Sequence, residues 1–166
     1  MRVELYHPLF IHFPIALLTV GSVFRAISLP AGKLPALRFL RPTAWTILAI
    51  GVIFAWIAVG TGLVAQPEVA PYLCEPSILT THMNLGWSTA SLFSGTLFFD
   101  ALATWGYHKV KQGTSARRIF PAIASLLYIA SLIVIAYTGT LGSGLVYDQG
   151  AAVEKKCTGT SGGNPE

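Results

Sequence analysis

Four residues of this 166-residue chain are histidine, and His7, His12 and His82 lie beside apolar runs where an imidazole can act as a ligand. Imidazole coordinates haem iron axially and also binds copper or zinc. His12 and His82 stand at the starts of two long apolar segments, which makes them the preferred pair for a group held between helices. His7 is the substitute for His12. Were the whole stretch helical, the five-residue step from one to the other, at about 100° per residue, would put His7 and His12 on different faces. Gly60, Gly62, Gly139, Gly142 and Gly144, near the ends of two further apolar segments, would leave room for a macrocycle edge. This pattern points to haem b or another tetrapyrrole held near a membrane surface for electron transfer. A metal site on His12 and His82, with copper or zinc, is an alternative. So is a cofactor-free reading, in which histidines bond loop carbonyls and glycines admit close helix packing. Covalent haem is excluded on this chain, because no CxxCH sequence occurs.

Asp100 lies inside the apolar run GTLFFDALATW, and Arg25 inside VFRAIS. A charge within a membrane is costly and is paired or functional. Each of the two lies at a similar distance beyond the histidine of its own segment, so an Arg25–Asp100 ion pair is expected, fixing helix register or forming a proton or quinone site. Cys74 and Cys157 are the only cysteines, and an oxidising compartment would let them bridge. His108, between Tyr107 and Lys109, reads as a solvated interface residue. It is separated from His82 by roughly 26 residues of helix at about 1.5 Å each and cannot share its ligand. No Ser-His-Asp arrangement, phosphate loop or pair of catalytic carboxylates supports a hydrolase or transferase, so an enzyme is the lesser expectation.

The elements that carry these residues are membrane helices. The chain is 53% hydrophobic and 11% charged, with mean hydropathy +0.61. Soluble domains carry about 25% charged residues, so the deficit indicates lipid as the main solvent. Spans of about 20 apolar residues predict an all-α, integral membrane four-helix bundle over residues 1–153. The helices are expected at about 9–29, 42–65, 80–107 and 118–146, followed by a polar flexible tail at 154–166. Pro8 opens the first helix with Pro14 inside it, or Pro14 itself opens the regular helix. Arg2 followed by Glu4, with no small-residue cleavage site, reads as a retained first helix and not as a cleaved signal. Tyr6, Trp45, Trp87, Trp105, Tyr107 and Tyr147 fall near helix ends, as interfacial aromatic belts do.

The net charge of +4 does not indicate nucleic acid, because the basic residues flank the apolar runs. Arg25, Lys33, Arg38, Arg41, Lys109, Lys111, Arg117 and Arg118 gather on one side, against Arg2, Lys155 and Lys156 on the other. The positive-inside rule then places both termini and the loop at 66–76 outside. The expected location is a bacterial inner (cytoplasmic) membrane. The expected partners are the lipid bilayer with other membrane subunits or a periplasmic redox protein. A faint repeat also runs through the chain: a histidine begins segments 1 and 3, and the strings GTGL from Gly60 and TGTLG from Thr138 end segments 2 and 4.

The strings HPLFIHFPIALL, THMNLGW and YTGTLGSGLVYDQGAAV resemble the domain of unknown function 2231, a family of bacterial four-helix membrane proteins, across roughly residues 6–153. The resemblance implies that same fold and topology. Some relatives look linked to Rieske or c-type cytochrome modules, which implies electron transfer within or beside a larger redox or photosynthetic complex. One departure is Leu141-Gly142-Ser143-Gly144 where the family pattern is Leu-Gly-Gly, and it touches backbone packing and not the histidines.

Overall fold

The computed structural model describes residues 3–31, 37–107 and 116–153. It is all-helical across them. The helices are α1 (Tyr6–Ala31), α2 (Leu40–Val69), α3 (Pro76–Tyr107) and α4 (Ala116–Tyr147), with short 3-10 turns at Val3–Leu5 and Ala70–Tyr72. Each helix runs a little past the limits read from hydropathy, because helix continues through polar flanks once the apolar centre is fixed. Pro8 occupies the first turn of α1 and Pro14 lies buried within it, so residues 6–31 form one continuous helix. Pro67 in α2 and Pro121 in α4 are likewise accommodated inside their helices.

Three helices are long and apolar enough to cross a membrane, over Tyr6–Ser28, Leu40–Tyr72 and Ile119–Tyr147. The fourth expected span does not reach that standard. α3 has 32 residues, ample length, but its first half carries Thr80, Thr81, His82, Asn84, Ser88 and Thr89. The exterior is strongly apolar, with Phe98, Leu126 and Ile133 each about two-thirds exposed or more. The interior has an apolar core that includes Leu18, Leu48, Phe93 and Tyr128, and it also holds the polar side chains Ser22, Arg25, Thr89, Thr96, Asp100, Ser125 and Ser131. That distribution suits a chain whose outside faces hydrocarbon and whose polar groups must find partners within.

The repeat is clear in the burial pattern. On α1 the buried residues Pro14, Leu18, Gly21 and Arg25 stand 75 positions before Thr89, Phe93, Thr96 and Asp100, all buried on α3. On α2, the buried Ala44, Leu48, Gly51, Ala55 and Ala65 stand 80 positions before Ala124, Tyr128, Ser131, Ile135 and Leu145 on α4, also buried. The hairpins α1–α2 and α3–α4 are the closest packed pairs, and α2–α3 and α1–α4 close the square. This is the arrangement of two parallel repeats about an axis along the helices. It corrects the register suggested by the letter strings: Gly62 corresponds to Gly142, and Gly60 to Thr140. His7 corresponds to His82, while His12 corresponds to Trp87.

Candidate functional site: two polar centres on the bundle axis

The two histidines that share a register position meet. The rings of His7 and His82 lie with centroids 6.2 Å apart and planes at 82°. His7 Nδ1 is 3.0 Å from the Ala58 carbonyl oxygen and 3.4 Å from Thr61 Oγ1. His82 Nδ1 is 3.0 Å from the Thr138 carbonyl oxygen. Ala58 and Thr138 each lie one helical turn before the matching glycine, Gly62 or Gly142. With Nδ1–H donated to a carbonyl, the tautomer is set and Nε2 is left as the free, basic edge of each ring.

The glycines explain why the rings can sit there. A Cβ at Gly62 would lie 3.2 Å from His7 Cε1, and one at Gly142 would lie 2.9 Å from His82 Cε1. Both glycines therefore seat an imidazole against a neighbouring helix. Gly60 and Gly139 would meet nothing within 4 Å, so neither packs on a histidine. A Cβ at Gly144 would lie 3.2 Å from Asp148 Oδ2. Gly142→Ala should push the His82 ring off its carbonyl and cost about 1–3 kcal/mol by overpacking. Gly62→Ala should cost less, and Gly60→Ala should be neutral. Thermal unfolding in detergent reads this order, and equal melting of Gly142→Ala and Gly60→Ala would contradict the seating.

His12 is not brought to His82. It is exposed on the other face of α1, with Nδ1 2.7 Å from the Pro8 carbonyl oxygen. The reason is the continuous helix: five residues turn the chain through about 500°, leaving His7 and His12 about 140° apart. Among the described residues no group of three or more His, Cys, Asp or Glu could hold a metal ion. His108 lies outside the described residues.

The second centre lies about 27 Å further along α1, eighteen residues at about 1.5 Å each. Arg25 donates from Nε to Asp100 Oδ2 at 2.7 Å and from Nη2 to Asp100 Oδ1 at 2.6 Å. Both side chains are 1% exposed. This two-pronged pairing is the strong form of the interaction. The Trp45 indole N–H adds a third donor to Asp100 Oδ2 at 3.1 Å, and Arg25 Nη1 is 3.4 Å from Ser28 Oγ. Arg41 donates to Thr104 Oγ1 nearby. Trp45 was legible only as a belt aromatic, although its place one turn after Arg41 puts it at the depth of the ion pair. The sequence does carry one signal for the axis: Phe24-Arg25-Ala26-Ile27 and Phe99-Asp100-Ala101-Leu102 stand 75 residues apart.

Three buried hydroxyls, Ser22 Oγ, Ser125 Oγ and Tyr128 Oη, have no hydrogen-bond partner among the described residues, and Tyr128 lies within electrostatic reach of Asp100 and Arg25. At the histidine end, the closing segment is fixed to the loop before α3. Gln149 Oε1 accepts from the Glu75 backbone N–H at 3.1 Å, and Gly150 takes φ 72°, which glycine tolerates. Ser143, the residue that interrupts the glycine pair, is exposed and donates to the Thr140 carbonyl. Cys74 is exposed beside Glu75; Cys157 lies outside the described residues.

No curated protein and no solved structure matches the chain significantly. One family does, described as "Predicted membrane protein (DUF2231)", over residues 5–155. That match takes in both hairpins, both polar centres and the closing Asp148-Gln149-Gly150 segment, and the chain belongs to this family of predicted membrane proteins, the domain of unknown function 2231.

Proposed function

We propose that the protein is a small four-span membrane subunit whose His7 and His82 hold a b-type haem or related tetrapyrrole near the outer face for electron transfer. The observation that supports it is the meeting of two imidazoles on the bundle axis with Nδ1 engaged and Nε2 left free. His7 and His82 would hold the haem through their Nε2 atoms, and the group so held would supply electron transfer. The chain's own part is to orient the rings through the Ala58 and Thr138 carbonyls and to seat them on Gly62 and Gly142. A zinc site takes three or four protein ligands, more than this pair offers. The visible spectrum of the purified protein, oxidised and reduced, tests the reading. A sharp reduced-minus-oxidised haem band is expected. A colourless protein transfers the case to a cofactor-free structural subunit, in which the two histidines simply clasp each hairpin.

The proposal includes the crossing of α3. Its polar first half lies at the histidine end, and it carries Asp100 already neutralised by Arg25. It also includes the orientation given by basic residues, with both termini and residues 66–76 on the periplasmic or outer side of a bacterial inner membrane. In a variant lacking Cys74 and Cys157, a cysteine at Ala70 should react in intact cells with a membrane-impermeant reagent, and one at Gly113 should not. The reverse pattern would invert the topology.

A Cys74–Cys157 disulfide belongs to the same proposal. The Gln149–Glu75 contact already ties the end of α4 to the loop that holds Cys74. Intact-mass measurement of unreduced, alkylated protein should show neither thiol modified. Two alkylated thiols would reject the bridge.

A further inference from the structure

We propose that the groove between α1 and α4 is a binding site for a lipid-soluble ring of the quinone class with its apolar tail. The groove has a volume of about 430 Å³ and is lined by Ile15 and Thr19 of α1 and by α4 from Leu132 to Ser143. The repeat shows what such a seam accommodates. In the equivalent seam between α2 and α3, the Trp56 indole lies against Trp87, with ring centroids 5.5 Å apart. Its N–H donates to Ser94 Oγ at 3.0 Å. Carried through the repeat register, Trp56 becomes Ala136, Ser94 becomes Thr19 and Trp87 becomes His12. One seam therefore contains its own aromatic ring bonded to a hydroxyl. The other keeps the hydroxyl, lacks the ring and has the space.

The dimensions favour a ring with a tail over the side chain of a partner helix. An indole uses about one helical turn, whereas Leu132 to Ser143 spans about 16 Å of α4 at 1.5 Å per residue. The volume falls in the range of small-molecule sites, about 300–1,000 Å³. The Thr19 hydroxyl can donate to a ring carbonyl. Thr140 and Ser143 already donate their hydroxyls to their own helix and leave the α4 wall apolar for a tail. The site adjoins the histidine centre, because Gly139 follows Thr138, whose carbonyl holds His82. Binding in the groove suits the electron-transfer reading and does not depend on it.

The test is photolabelling of the purified full chain in lipid nanodiscs with an azido-benzoquinone carrying a decyl tail, mapped by mass spectrometry. Label is expected in residues 15–19 and 132–143, competed by decyl-benzoquinone without the azide. Ala136→Trp should lower it about tenfold or more by filling the groove, and Thr19→Val should lower it severalfold. Trp56→Ala should open the twin seam and add a second labelled site on α2 and α3, a gain that no folding defect can mimic. His7→Ala and His82→Ala should leave labelling intact even where a haem spectrum is lost or was never present, so this proposal and the haem proposal fail separately. Label spread over the lipid-facing surface and unchanged by Ala136→Trp and Trp56→Ala would overturn the site and leave the groove to ordinary acyl chains.

Discussion

Asp100→Ala is expected to destabilise the bundle by about 3–5 kcal/mol, the cost of leaving a buried charge without its partner. Arg25 would lose both of its charge-assisted bonds while remaining 1% exposed, and the Trp45 indole would lose its acceptor. Replacing both partners with leucine should cost far less, since apolar groups of similar volume are often neutral where a buried pair stood. The repeat adds a sharper test. Positions 25 and 100 are equivalent, so exchanging the charges as Arg25→Asp with Asp100→Arg should restore most of the stability. The exchange places the carboxylate on α1, away from Trp45. It also brings it toward Ser125, which stands at the register position of Trp45 and whose buried hydroxyl has no partner among the described residues and can donate. Unfolding in mixed micelles, analysed as a double-mutant cycle, measures all four proteins. An Asp100→Ala cost below about 0.5 kcal/mol, the scale of an exposed pair, would contradict the buried bidentate geometry.

This pair and the histidines differ in how far the sequence exposes them. A charge inside an apolar run stands out because hydrocarbon penalises it, and matching depth on two parallel helices leaves few partners. Arg25 and Asp100 are legible on those grounds. The choice between His7 and His12 turns instead on helix phase through Pro14, and proline normally argues for a break. Continuous helix through Pro14 sends His12 to the surface and His7 to the axis. The glycine strings misled by one position because the letters that repeat are not the ones that pack. What repeats is an interior face on which Leu48 matches Tyr128 and Gly51 matches Ser131, similar in burial and unlike in type. α3 blurred for a different reason. Its first half sets exposed Thr80, Thr81, Asn84 and Ser88 beside buried Thr89, and hydropathy counts all of them against a span. The Trp56–Ser94 contact carried no sequence signal at all until the register of 75 and 80 positions paired it with Ala136 and Thr19.

Alanine at either His7 or His82 is expected to abolish the low-spin haem spectrum, and His12→Ala is expected to leave it unchanged. The equivalence of His7 and His82 makes this a paired result. Both rings are held by a carbonyl one turn before a glycine, so neither is more dispensable than the other. His12 supplies a control on the same helix, exposed and bonded to the Pro8 carbonyl. Each axial variant also removes one hydrogen bond between the helices of a hairpin, worth about 0.5–1.5 kcal/mol, which is too little to unfold the bundle. Loss of the spectrum with helical circular dichroism retained therefore reports ligation and not collapse. His→Gln separates the two roles further. A glutamine amide can donate to the Ala58 or Thr138 carbonyl, so stability should largely return, while the imidazole ligand does not. A haem spectrum that survives in both His7→Gln and His82→Gln would place the iron elsewhere. A wild-type protein without haem, whose His7 and His82 variants lose only hydrogen-bond-sized stability, would make each histidine a clasp within its own hairpin.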